Sequence, residues 1–198
     1  MRIVAAVTGA SGAIYAVRFL KACLELGVTT ELVVSDYGNR LLIEELGLNL
    51  KAETVESWLA RTYGESPRKG SITRHPDHDL GASIASGSQA WTGMAVIPCS
   101  MKTLSGIARG ASSNLIERAA DVTLKEKRRL VLVPRETPLN LVHIENMRQA
   151  ALAGAAIVPA MPAFYQHPKT LEDLADFVAG RVLSLLGIEH RLFEPCEG

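Results

Sequence analysis

The chain has 198 residues, enough for one domain with a full core, and its 21 basic residues balance 21 acidic ones. That zero net charge gives no global field to steer it to nucleic acid or an anionic membrane, so any basic site is local. Its three cysteines, Cys23, Cys99 and Cys196, are scattered without CxxC spacing, which argues against a zinc centre and fits a reducing cytoplasm.

The first element is an apolar strand, Ile3–Val7, that runs into Thr8-Gly9-Ala10-Ser11-Gly12-Ala13 and then a helix reaching about Leu26. Arg2 followed by Ile3–Val7 imitates a signal peptide, but Thr8, Gly9, Ser11 and Gly12 interrupt the apolar run, so export is not expected. A strand feeding a Gly/Ser-rich turn feeding a helix N-terminus forms an anion cradle: glycine lets a ligand approach, and the first helical N–H groups have no internal partner. A tight turn also needs glycine without any ligand, but the Thr8 and Ser11 hydroxyls tilt the reading to a phosphorylated cofactor.

After Gly27, Thr30–Ser35 reads as a second strand, and 37–46 and 53–63 as helices. Pro67–Asp79 reads as a polar loop, Met94–Pro98 as a third strand, Lys102–Arg109 and Ser113–Lys127 as helices, and Leu130–Pro134 as a fourth strand. A helix near Leu141–Ala153, a fifth strand at Ala155–Pro159 and a helix over Leu171–Leu186 complete the pattern. Thr170-x-x-Asp173 is a capping box and Gly187 a stop for that last helix. The uncharged stretch Ala150–Phe164 is too short to span a bilayer and contains Gly154, Pro159 and Pro162. Nearly continuous apolar strands alternating with helices predict an α/β fold: one doubly wound, mainly parallel, Rossmann- or flavodoxin-like sheet. The expected domain spans 1–198, with a core of about 2–188 and a tail over 189–198. In such folds ligands sit beyond the carboxyl ends of the strands.

Several groups follow strand ends. Pro98-Cys99-Ser100-Met101-Lys102-Thr103 is either a phosphate cradle or an ordinary serine-capped helix start. Cys99 reads as a buried apolar residue rather than a nucleophile. Ser86-Gly87-Ser88 reads as a plain turn. Arg118, Asp121 and Lys125 share one helix face, where a solvated ion-paired stripe is the simpler account. Arg135-Glu136 lies just past the fourth strand. Arg181 shares a face with Leu174, Phe177, Val178 and Leu185, so the spacing predicts a guanidinium aimed at the core, needing either a structural carboxylate or a ligand phosphate. His75 and His78 fall in the polar loop, where surface placement is the simpler reading. Glu172, Asp173 and Asp176 suit a helix N-terminus better than a DDxxD magnesium site.

Together TGASGAIY, SGS, PCSMKTLSGI, ERAADV-x-LKE, LVLVPRETP, H-x-ENM and PAFYQHP closely resemble the UbiX/Pad flavin prenyltransferase family, over residues 3 to about 188. The resemblance implies a homo-oligomer, often a dodecamer, that joins a dimethylallyl group from dimethylallyl monophosphate to N5 and C6 of reduced FMN without a metal. The product, prenylated FMN, would serve a UbiD-type decarboxylase. It implies FMN contacts at Gly9, Ala10, Ser11, Ser35, Ser100, Met101, Lys102, Thr103 and Arg135. It implies prenyl-phosphate contacts at Tyr165 and Arg181, with Arg118, Lys125 and Glu136 completing that site across a subunit interface. Catalytic roles would fall on Ser11, Glu45, Lys125 and Glu136. Two departures stand out: the tail after Gly187 lacks the tryptophan of some relatives, and the 64–79 loop is longer and more basic. Three rivals are kept. The first is an NAD(P) enzyme suggested by Tyr165-x-x-x-Lys169, which Pro168 speaks against. The others are a direct FMN-dependent decarboxylase and a non-catalytic flavin carrier.

Overall fold

The computed structural model describes residues 1–66 and 69–193. In chain order the elements are β1 (Arg2–Val7), α1 (Ala13–Glu25), β2 (Thr29–Val34), α2 (Asp36–Leu46), α3 (Val55–Tyr63) and β3 (Ser71–His75). A single 3-10 turn (Ser83–Ala85) then leads to β4 (Gly93–Cys99), α4 (Met101–Ala108), α5 (Leu115–Lys125), β5 (Arg129–Pro134), α6 (Leu141–Leu152), β6 (Ala155–Ile157) and α7 (Leu171–Leu186). The strands form one parallel sheet in the order β3-β2-β1-β4-β5-β6. This is the expected doubly wound, flavodoxin-like α/β arrangement. The chain winds outward from β1 one way and from β4 the other, so the switch point lies between these two strands.

Apolar residues on alternate positions of the strands feed two separate cores. Ile3, Ala5 and Val7 of β1, with Val131 and Val133 of β5, pack under α1 and α7. Val4 and Ala6, with Leu130 and Leu132, pack under α4 and α5 together with Ile84 and Trp91. Burial on both faces is why these strands read as unbroken apolar runs.

Two boundaries differ from the sequence reading. The presumed polar loop holds an edge strand, β3, paired parallel to β2 from Thr29↔Ser71 to Val33↔His75. Ser-Ile-Thr-Arg-His carries one apolar residue because an edge strand needs a backbone partner, not a buried face on both sides. The first two residues of the expected loop, Pro67 and Arg68, lie outside the described residues. β6 is also shorter than expected, ending at Ile157 before Pro159. The tail residues Glu194–Gly198, Cys196 among them, lie outside the described residues. No helix among the described residues is long and apolar enough to cross a membrane.

Three polar contacts fix the frame. Glu31 of β2, nearly buried, accepts from Arg2 Nε (2.9 Å) and sits 2.6 Å from His75 Nε2, tying β1, β2 and β3 together. His75 is therefore an inward-facing partner rather than a surface residue. Arg18 of α1 forms a two-pronged bridge to Asp176 of α7, with Nε donating at 2.6 Å, and its guanidinium also lies over the Tyr63 ring. At the switch point the buried Thr8 hydroxyl donates to the Pro98 carbonyl (2.9 Å) and accepts from the Ser100 N–H (2.7 Å). Thr8 is thus a structural clamp between the ends of β1 and β4, not the ligand donor that the sequence suggested.

Two outcomes follow from these contacts. Asp176→Ala strands a largely buried guanidinium and is expected to destabilise the fold by about 3 kcal/mol, read as a lower thermal unfolding midpoint. Thr8→Val keeps the shape but orphans the Ser100 N–H, at a cost of about 2 kcal/mol in chemical denaturation.

Candidate functional site

The switch-point rule directs attention to the carboxyl ends of β1, β2, β4 and β5, where the loops 8–12, 35–36, 100–103 and 135–136 converge. Gly9, Ala10 and Ser11 follow β1; Gly9 and Ser11 are exposed. Gly12, the N-cap of α1, has φ 113°, a left-handed conformation natural to glycine, and a Cβ there would meet the Tyr15 ring at 2.7 Å.

The α1 N-terminus is already filled. Glu45 of α2 reaches back so that its carboxylate accepts from Gly12 N (3.0 Å) and Ala13 N (2.8 Å). The cradle expected of the first loop is therefore closed by the protein's own anion, which satisfies the orphan amides and the positive helix end at once. No sequence signal points to this contact, because the partners lie 32 and 33 residues apart.

The α4 N-terminus is different. Ser100 caps it in the ordinary way, accepting from Thr103 N (3.3 Å) and donating to Thr103 Oγ1 (3.1 Å). The Met101 and Lys102 amides, ahead of that bond, have no acceptor among the described residues. Met101 and Thr103 side chains are buried, while Lys102 is exposed with no ion-pair partner among the described residues. Both readings of this loop hold together: the hydroxyl caps, and the first amides stay free for an anion. Ser35 similarly caps α2, accepting from Gly38 N at 3.1 Å.

Arg135 closes the far side. Its main-chain N–H reaches the Cys99 carbonyl (3.4 Å), and its Nε is buried without a hydrogen-bond partner. Burial pushes the neighbouring Tyr15 phenol up, and the positive charge of Arg135 partly offsets this. A buried guanidinium nitrogen with no acceptor after β5 and free helix-end amides after the adjacent β4 are donor chemistry that suits a phosphorylated ligand. Cys99 below them is fully buried and its thiol is pushed up by that burial, so it is inert packing, as expected.

The remaining predicted residues divide into two groups. Tyr165, half exposed between β6 and α7, stands edge-on to Phe177 with centroids 6.0 Å apart. Arg181 lies one turn beyond Phe177 on α7. The expectation that Arg181 points into the core is wrong: it is exposed. The buried face of α7 runs through Ala175, Val178, Ala179, Val182, Leu183 and Leu186, and the Leu174–Phe177–Leu185 stripe is a second, half-open flank. Glu136 is exposed and accepts from Thr137 N at 3.0 Å.

Arg118 and Lys125 sit on α5, packed beside the 3-10 turn. Arg118 Nε donates to the Ala85 carbonyl (3.2 Å) and Nη1 to Asp121 (3.1 Å); Lys125 makes only a loose pair with Glu126 (3.8 Å). No hydrogen bond or ion pair among the described residues joins them to the sheet-edge group.

The acids near residue 173 are structural. Backbone N–H groups of Lys169 and Thr170 hold the Asp173 carboxyl below the usual range, and Asp176 serves Arg18. No group of three or more potential metal ligands occurs among the described residues. Tyr165 and Lys169 precede α7 rather than sharing a helix, so the dehydrogenase-like pairing is absent.

The family described as Flavoprotein matches residues 1–186. A flavin prenyltransferase UbiX from Halalkalibacterium halodurans is 50% identical over 189 residues, covering 94% of this chain and 89% of that protein. The crystal structure of AnUbiX (PadA1) in complex with FMN and dimethylallyl pyrophosphate matches with a TM-score of 0.88 and 41% identity, over 100% of this chain and 97% of that one. A dodecameric FMN-dependent UbiX-like decarboxylase from Escherichia coli matches equally well, with a TM-score of 0.88 and 41% identity over the whole of both chains. The chain belongs to the flavoprotein family, within its UbiX group of flavin prenyltransferases.

Proposed function

We infer that this protein is a flavin prenyltransferase that attaches a dimethylallyl group to reduced FMN. One observation carries the reading: the orphaned Nε of Arg135 and the free α4 amides face one sheet edge, in a chain that superposes end to end on a protein solved with FMN and dimethylallyl pyrophosphate. Gly9, Ala10, Ser11, Ser35, Ser100, Met101, Lys102, Thr103 and Arg135 hold the flavin. The reduced flavin supplies the nucleophilic ring nitrogen, and the dimethylallyl ester supplies the electrophilic carbon and the phosphate leaving group.

The protein's part is binding, orientation and charge. Tyr165 and Arg181 take the prenyl phosphate from the α7 side, and Arg118 and Lys125 complete its cationic surround, with Arg135 nearby. Together they stabilise charge growing on the departing phosphate. Glu136 carries protons at its exposed carboxylate, and Ser11 and Glu45 assist beside the flavin. No metal takes part.

Within one chain α5 holds its cations apart from the Tyr165–Arg181 pair, so a second copy supplies them and the site lies at a subunit interface. Exposed apolar side chains suit such contacts: Leu141 is 79% exposed, Leu152 69%, Phe164 71% and Leu171 70%. A dodecamer with sites between subunits, a cytoplasmic location and a UbiD-type decarboxylase as recipient complete the proposal.

Anaerobic incubation with reduced FMN and dimethylallyl monophosphate, or the pyrophosphate in parallel, tests it. The expected flavin product is heavier by one dimethylallyl group in mass spectrometry. Unchanged flavin with both donors sinks the reading, and carbon dioxide release from an acid substrate would favour the decarboxylase rival. Arg135→Gln is expected to weaken FMN binding between about tenfold and hundredfold, measured by flavin fluorescence.

A further inference from the structure

We propose that Asp121 is a positioning residue: it holds the Arg118 guanidinium in place for the prenyl phosphate. The proposal rests on the reading above, in which Arg118 contacts that phosphate.

A guanidinium carries five N–H donors in a fixed plane. In Arg118 two edges of that plane are already engaged. Nε donates to the Ala85 carbonyl at 3.2 Å, and Nη1 donates to Asp121 Oδ2 at 3.1 Å. Nη2 has no acceptor among the described residues. The two acceptors come from different elements, the end of the 3-10 turn and α5 itself, so they fix the orientation of the plane and not only its distance from the helix. Ala85 is buried, and its neighbour Ile84 is fully so, which makes that carbonyl a rigid anchor. Arg118 and Asp121 are each about a third exposed along their side chains, so the held group still opens to solvent on one side.

Lys125 shows what lacks this support. It lies two turns along the same face, and its nearest carboxylate is 3.8 Å away. A free arginine side chain must surrender its rotamer freedom when an anion arrives, whereas a pre-held one has already done so. A carboxylate next to a phosphate has a cost, because like charges repel. Asp121 therefore exerts two opposed effects on donor binding, one geometric and one electrostatic, and they predict opposite signs on its removal.

Asp121→Ala and Asp121→Asn separate these effects, with inorganic phosphate as a competitive probe alongside turnover. If Asp121 positions Arg118, Asp121→Ala raises the KM for the prenyl phosphate and the Ki of inorganic phosphate about tenfold each. Asp121→Asn, which keeps an acceptor oxygen, restores most of that loss. The FMN dissociation constant stays as in the wild type. A lower or unchanged KM and Ki in Asp121→Ala overturns the proposal, since repulsion or solvent display is then its whole effect. A fall in thermal stability with unchanged Ki also overturns it. Arg118→Met in the same assay keeps the two readings distinct: if it leaves KM unmoved, the placement of Arg118 in the donor site has failed, and with it this inference.

Discussion

The site depends on one buried hydroxyl at the place where the sheet changes direction. β1 and β4 are neighbours in the sheet but lie some ninety residues apart in the chain, and their loops diverge to opposite faces. Thr8 spans the divergence by giving its proton to Pro98 and taking one from Ser100. One of the two bonds is fully buried, and together they hold the loops after β1 and β4 at a fixed spacing. The β4–β5 register shifts between Val96 and Cys99, where the chain leaves the sheet edge for α4.

The two helix N-termini flanking that hydroxyl have opposite fates. A helix end with unsatisfied amides attracts an anion from wherever one is available. At α1 the anion is Glu45, drawn from α2. At α4 the Ser100 side chain reaches Thr103 N, and the two amides ahead of it have no acceptor among the described residues. Arg135, just past the end of the adjacent strand β5, adds a buried donor with no hydrogen-bond partner among the described residues. Free helix-end amides are thus confined, among the described residues, to one of these two similar-looking loops. A carboxylate thirty-odd residues away makes the difference.

Much of the fold was legible because two-sided burial leaves a strong mark: unbroken apolar strands separated by periodic helices. The edge strand β3 was not, since Ser71–His75 gains its place from backbone pairing alone. Of the expected site residues, Ser100 and Arg135 directly follow β4 and β5 at the sheet edge that the strand rule indicates, while Tyr165 lies in the connection from β6 to α7. Partnerships were not legible. Glu45 capping α1, Arg18 bridging to Asp176, and Glu31 joining Arg2 to His75 all connect residues far apart in sequence, and no local pattern encodes them. Arg181 misled because helical spacing identifies an apolar flank without saying whether anything within the same chain covers it.

The bridge between Arg18 and Asp176 bears on how the cleft moves. Arg18 lies on α1, which begins at the loop after β1, and Asp176 lies about a turn and a half before Arg181 on α7. Two prongs plus the Tyr63 ring lock these helices into one rigid lever. Movement of α1 is therefore expected to carry α7 with it. A ligand that stiffens one of them damps the other through a contact that lies outside the reaction itself.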